Sequence, residues 1–398
     1  SSHFGSSQGL EHCSSPGFPP HHLTLQFLMA INADHVEVCV VGFGTPGQSM
    51  AWYHAKQILE DRVPGAMLTS VVSPSAVSQR QQLEKEWPAI ENGQCKLYNT
   101  LDELAKDQTI KSNSVAVVAC RTSDMPQRVT DAIDYGFKFV YLEKPGAPTL
   151  SELERLSQYA DAKAAQVFMG YNKNVARFVK GARQAQEKCP GSHILFEHNN
   201  TWKAEELDLC FKRNSTGMLK DMAIHELMLA VTFFGVTESS LKDVTVDREF
   251  SMLETRGAYT DFSRVCFTMT THDGNCVGVK ADRCGGNTSS AMVSSGGKQV
   301  FASVMPDAES ERKVAALVAK EPGVTPYLHV QDEQYLELKE KLCIFARGGP
   351  IPDGMPTLKQ GVEVLSLAEH LTPIIMRKLQ TPKRCGSALM GAGSMRKL

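Results

Sequence analysis

A β-branched run, His35–Gly42, breaks directly into Gly42-Phe43-Gly44-Thr45-Pro46-Gly47, and a helical pattern follows at Met50–Leu59. That succession narrows the fold sharply. An apolar strand, a tight turn and an amphipathic helix, in this order, open a parallel-sheet unit. The alternation continues: Gly65–Ser73, Ser114–Cys120, Phe137–Glu143 and Ala165–Tyr171 read as further buried strands. Between them Ser75–Trp87, Leu101–Lys106, Asp124–Tyr135 and Thr149–Ala165 read as helices, with Thr100 as an N-cap and Gly136 as a C-cap. Right-handed crossovers make this a doubly wound parallel sheet covered on both faces, over residues 35–170.

After about residue 185 the rhythm changes. Ser192–Trp202, Val244–Thr255, Asp261–Cys284 and Thr288–Val304 read as strands, with Asp273-Gly274-Asn275 and Ser295-Gly296-Gly297 as hairpin turns. Val330–Phe345 and Thr357–Leu379 read as helices around the Pro- and Gly-rich loop Gly348–Pro356. The expectation is an α+β domain over 171–380 with a large, mostly antiparallel sheet. Residues 1–34 read as a disordered leader with Met29 as the natural start, and 381–398 as a flexible tail. The apolar patch Leu23–Ala30 lacks the basic flank of a signal peptide, and Arg396-Lys397-Leu398 lacks the small first residue of a peroxisomal address.

Composition excludes several classes. A net charge of −2 over 398 residues lacks the cationic surplus that phosphate-driven nucleic-acid binding needs. No apolar run reaches membrane-spanning length. The eleven cysteines contain no C-x-x-C pair, so neither a zinc knuckle nor a redox motif is expected, and so many thiols suit a cytoplasmic, reducing setting.

The turn at 42–47 fits G-x-G-x-x-G. Gly42 permits the tight turn, Gly44 lets backbone approach a pyrophosphate, Gly47 lets helix pack on strand, and Pro46 suits a first helical turn. An NAD-selective site usually has an acid at the end of the second strand. Here Ser73-Pro74-Ser75 stands there. Ser73, Ser75 and Arg80 offer partners for a 2′-phosphate, which leans toward NADP over NAD, although Ser75 also suits a helix cap. Cys120 ends the strand Ser114–Cys120, and Arg121 after it reads either as an anion clamp or as a surface ion-pair partner.

Glu143-Lys144-Pro145 ends another parallel strand, the edge at which such sheets bind ligands. Lys144 there can stabilise developing negative charge, or can simply be solvated. Asp221 and His225 stand four apart in the apolar segment Gly217–Phe234, so a single helix would present both on one face. A carboxylate beside the imidazole would hold the ring and favour its protonated form, unless the pair is only structural. Asn172 and Lys173 open the second domain toward a substrate. His198 and Trp202, on a strand, floor the pocket or belong to the core.

Taken together, Gly42–Gly47, Glu143-Lys144-Pro145, Asp221-x-x-x-His225 and Gly170-Tyr171-Asn172 resemble the glucose–fructose oxidoreductase/inositol 2-dehydrogenase (Gfo/Idh/MocA) family over about residues 35–380. The resemblance implies a Rossmann domain followed by a C-terminal α/β domain with an open sheet, and a site between them. It also implies a homo-oligomer, dimer or tetramer, built through sheet faces. It makes Lys144 the catalytic lysine, His225 the acid/base and Asp221 its partner. The implied activity is hydride transfer between a nicotinamide and a secondary alcohol or carbonyl of a sugar, inositol or related polyol. A non-catalytic dinucleotide-binding regulator and a redox-neutral, NAD-dependent glycosidase share the resemblance. Two positions depart from the family pattern. Met228 replaces an Asp common three residues after the histidine, and Arg121-Thr122-Ser123-Asp124-Met125 replaces a Pro-Asn followed by His.

Overall fold

A computed structural model of the protein describes residues 35–381. The expected leader and start site, the patch at 23–30 and the tail from 382 onward lie outside the described residues. The first half builds β1 (Val36–Val41), α1 (Met50–Leu59), β2 (Ala66–Val72), α2 (Pro74–Ser78), α3 (Arg80–Glu86), α4 (Pro88–Glu91) and β3 (Lys96–Tyr98). It continues with α5 (Leu101–Asp107), β4 (Val115–Val118), α6 (Met125–Asp134), β5 (Phe139–Leu142), α7 (Leu150–Ala162) and β6 (Gln166–Met169). The six strands are all parallel, in the order β3-β2-β1-β4-β5-β6.

Strand residues alternate between two apolar layers, as the period of two requires. Cys39, Val41, Ala116, Val118, Val140 and Leu142 face one layer, while Val38, Val40, Val115, Val117 and Tyr141 face the other. Caps are supplied where the sequence offers them. Thr100 accepts from Glu103 N–H, Thr149 from Glu152 N–H and Ser49 from Trp52 N–H, each contributing about 1 kcal/mol. The segment 75–87, expected as one helix, is two, because Gln79 (φ −102°) interrupts it.

The second half holds α8 (Arg177–Lys188), β7 (His193–Asn199), α9 (Leu207–Arg213), α10 (Met218–Asp221), α11 (Ile224–Phe234), β8 (Leu241–Val246) and β9 (Met252–Arg256). Then follow β10 (Tyr259–Thr271), β11 (Cys276–Asp282), β12 (Ser289–Ser295), β13 (Lys298–Met305), α12 (Ala308–Lys320), α13 (Pro326–Val330), α14 (Asp332–Ala346) and α15 (Leu358–Gln380). The second sheet runs β13-β12-β7-β11-β10-β8, with β9 also on β10. It is antiparallel except where β7 meets β11. The segment 244–255 divides into two strands because the Asp247 carboxylate accepts from the Glu249 and Phe250 N–H groups and turns the chain.

One long-range feature matters for the site. α14 lies against the first sheet, with Tyr335, Leu338, Leu342 and Cys343 buried in the same layer as Val36, Val38 and Tyr141. Among the described residues no helix is long and apolar enough to cross a membrane.

Candidate active site

The C-terminal ends of the parallel strands converge on a cleft of about 730 Å³. Gly42, Phe43 and Gly44 come from β1, Ser73 and Ser75 from β2, Cys120 and Arg121 from β4, and Glu143 and Lys144 from β5. Ser49, Met50 and Ala51 open α1 onto the same cleft, so the first unpaired backbone N–H groups of that helix face it. Gly42 takes φ +105°, and a Cβ there would lie 2.4 Å from the Ala119 carbonyl oxygen. Only glycine allows β1 and β4 to part so tightly. The Gly44 N–H donates to Ser75 Oγ at 3.3 Å, and Ser75 Oγ shares a 2.8 Å bond with Ser73 Oγ.

Several turn and phosphate-site expectations change. Pro46 precedes the N-cap Ser49 and stands outside the helix. Gly47 (φ +75°) does not pack helix on strand: a Cβ there would lie 2.3 Å from Gly323 O, and its carbonyl accepts Thr325 N–H at 2.7 Å. Its smallness admits the 321–325 loop. Neither Pro46 nor Gly47 lines the cleft; both border a neighbouring groove with Trp52 and Gly323. Thr45 serves the turn, its carbonyl accepting from Gln48 and Ser49 N–H. Arg80 is drawn away, donating to Leu97 O at 3.2 Å and facing Glu84 at 3.7 Å. Ser75 makes no cap; its hydroxyl joins Gly44 and Ser73 instead.

Lys144 is half-buried, stands two residues past the end of β5, and has no side-chain hydrogen-bond or ion-pair partner among the described residues. Its charge acts on His225, Lys173 and Asp221, which all come from the second half. His225 is 8% exposed, and its Nδ1 is buried without a partner. Burial, and then the charge of Lys144, hold it well below the usual histidine range. Its ring is therefore neutral near pH 7, the reverse of the expected protonated form, and neutral imidazole is the form that accepts a proton.

The cause is a break in the helix. Asp221 ends α10, Met222 and Ala223 interrupt, and His225 belongs to α11. No hydrogen bond joins the two side chains. Asp221 Oδ1 instead accepts the Thr216 hydroxyl at 2.5 Å, Oδ2 is buried without a partner, and burial pushes the carboxyl up. Asn172, Lys173, His198 and His225 line a second cavity of about 120 Å³. Lys173 pairs with Glu226 at 2.6 Å, and burial still lowers its ammonium. His198 is held down to about 4 by burial and then by the Lys173 charge. Trp202 lines neither cavity; it packs on Leu207, Cys210 and Phe211. Met228 is fully buried in the core, whereas Met125 lines the cleft.

Sequence reasoning missed what lies beneath the cleft. Glu143 Oε1 accepts from His54 Nε2 at 3.0 Å and from the Tyr141 hydroxyl at 2.8 Å. Lys339, from α14, donates to His54 Nδ1 at 3.0 Å and to Gln57 Oε1 at 2.6 Å. That fixes the His54 tautomer, with the proton on Nε2 toward Glu143. Burial, then the Lys339 charge, holds His54 down to about 4, and burial lowers Lys339 to about 7. The only sequence signal was negative: His54 and Lys339 sit at core positions of their helices, where an unpaired ionisable group would be costly.

Residues 36–171 match the oxidoreductase family with an NAD-binding Rossmann fold, Gfo/Idh/MocA. No curated protein matches the chain. Among solved structures, a probable dehydrogenase from Thermotoga maritima is 18% identical with a TM-score of 0.62, covering 86% of this chain and 97% of that one. A myo-inositol dehydrogenase from Corynebacterium glutamicum ATCC 13032 is 18% identical, TM-score 0.62, covering 87% and 99%. A scyllo-inositol dehydrogenase from Lactobacillus casei with bound NAD(H) and scyllo-inositol is 15% identical, TM-score 0.59, covering 86% and 98%. At these identities the likeness is one of fold.

Proposed function

We propose, from the match of residues 36–171 to the Gfo/Idh/MocA oxidoreductase family, that the chain is an NAD(P)-dependent dehydrogenase or reductase acting on the CH–OH or carbonyl group of a small molecule. Residues 35–170 form the dinucleotide half and 171–380 the substrate and oligomerisation half. One observation carries the reading: Lys144 lines the cleft without a side-chain partner among the described residues, and His225, its Nδ1 buried and unpartnered, lines the second cavity.

The cleft residues fit a dinucleotide, since Gly42 and Gly44 keep backbone exposed at the start of α1 and no side chain fills the turn. Bound there, the nicotinamide accepts or supplies hydride. The protein's part is proton and charge control. His225 takes the hydroxyl proton as the alcohol is oxidised, and Lys144 stabilises the negative charge that develops on the oxygen. Asn172 and Lys173, which line the cavity with His225, orient the remaining substrate groups. General acid–base help of this kind is typically worth about 10²–10⁴-fold.

The hydroxyl pair of Ser73 and Ser75 at the end of β2, where no acid stands, with Arg121 in the same cleft and without a side-chain partner among the described residues, supports NADP over NAD. Exposed Met252, Val300 and Val304 on the second sheet support a homo-oligomer through that surface. The cysteines, all free among the described residues, support a cytoplasmic setting. The test is reduced-cofactor absorbance with each dinucleotide against sugars, inositols and other secondary alcohols. Lys144→Ala and His225→Ala should each lower turnover by about 10²-fold or more while dinucleotide still binds. Wild-type turnover in both variants would remove the assignment.

A further inference from the structure

Resting on the reading that His225 and Lys144 flank the reacting carbon–oxygen bond, we propose that the substrate is amphipathic: a polar reacting end with an alkyl or aryl portion beneath α12. The cavity at His225 has a mixed lining. Asn172, Lys173, His198, Ser289 and Gln334 supply polar groups, and Ser310, Tyr327 and Gln331 stand near the apolar Met305, Val314 and Val330 in sequence. A free cyclic polyol carries a hydroxyl on nearly every carbon. Each hydroxyl left unpaired against those apolar side chains loses roughly ten-fold in affinity.

Room for an apolar portion lies next door. A second cavity of about 410 Å³ shares Met305, Ser310, Val314, Val330 and Gln334 with the first; Ala316, Leu317 and Leu336 add apolar lining, and Arg62, Lys313, His329, Asp332 and Glu333 also border it. α12 borders both, yet it has no buried residue of its own. It is held by polar contacts: Arg177 to Glu309 and Ser310, and Lys313 to Glu333 at 2.8 Å. The apolar side chains of Val314 and Leu317 thus line space that the protein itself does not fill.

The experiment titrates the full chain, saturated in turn with NAD⁺ and NADP⁺, with 2-butanol, 2-hexanol, 2-octanol, D-glucose and myo-inositol by calorimetry. Each methylene that enters the apolar space should tighten binding about 3–4-fold, so 2-octanol should exceed 2-butanol by on the order of 100-fold. The double variant Val314→Asp/Leu317→Asp, on a helix with no buried residue, should flatten the series. Equal affinity along the series, or tighter binding of glucose or myo-inositol than of 2-octanol, overturns the proposal. So does a series that stays steep in the variant. A flat series with a dimer that the variant dissociates would assign the apolar lining to a second copy. A chain that binds neither dinucleotide fails the oxidoreductase reading itself, and this inference falls with it; dinucleotide binding with a flat series refutes the inference alone.

Discussion

Replacing Arg283 with methionine should destabilise the second half by about 3–5 kcal/mol, the usual cost of removing one partner from a buried ion pair. Arg283 is 1% exposed. Its Nη2 donates to Asp261 Oδ2 at 2.6 Å, its Nε to Phe262 O at 3.0 Å and its Nη1 to Cys210 Sγ at 3.0 Å. Asp261 in turn accepts the Met218 N–H at 3.2 and 2.9 Å, one contact to each oxygen, and so fixes the start of α10. Methionine fills much of the same space, so the loss is chiefly electrostatic: Asp261 stays buried with only a backbone donor. Converting both residues, Arg283→Met with Asp261→Leu, removes the stranded charge and should recover more than half of the loss, leaving about 1–2 kcal/mol for the lost helix start. Urea denaturation of the wild type, both singles and the double gives the cycle. A single variant that costs less than about 1 kcal/mol, or a double that costs the sum of the singles, would refute the buried-pair argument. The effect reaches the site, because Arg283 helps to keep the Asp221 carboxyl ionised.

Other outcomes follow from the same geometry. His54 and His198 are each held to about 4 in the folded protein, below the ordinary 6.5. The unfolded chain therefore takes up protons first. The stability each contributes, about 3 kcal/mol, is full above pH 6.5 and is lost as the pH falls toward 4; denaturation at pH 7 and pH 4.5 checks it, and His54→Gln should flatten its share. Gly47→Ala must move the Gly323 carbonyl, 2.3 Å from the new Cβ, and should cost about 2 kcal/mol or more, whereas Gly93→Ala, with the same φ of +75° and open space, should cost only the 1–2 kcal/mol of the backbone conformation. Equal melting temperatures for the two would contradict the close approach.

Five of the six parallel strands were legible because each is a short apolar run beside a helical pattern, whereas β3, three residues that begin on exposed Lys96, was not; α1 coincides with the expected Met50–Leu59. The elements that escaped lacked such marks. α12 buries nothing, so no apolar face announces it. α8 buries Phe178, Val179 and Ala182 but carries Gly181, whose hydrogen faces the Phe301 ring. Lys144 and His225 were visible as residue types in a pattern. The broken helix between Asp221 and His225 was not, since Met222 and Ala223 are ordinary helix formers and the interruption comes from tertiary packing. The buried chain from Glu143 through His54 to Lys339 joins residues 89 and 285 positions apart, beyond the reach of any local period.

The docking of α14 on the first sheet has a consequence for biosynthesis. A ribosome finishes β1–β6 long before it makes residues 332–346, so during that interval the layer around Val36, Val38 and Tyr141 lacks Tyr335, Leu338 and Leu342. The nascent parallel-sheet half must wait, sticky and incomplete, until residues 332–346 have been made, and a fragment cut at residue 170 would inherit that bare surface permanently.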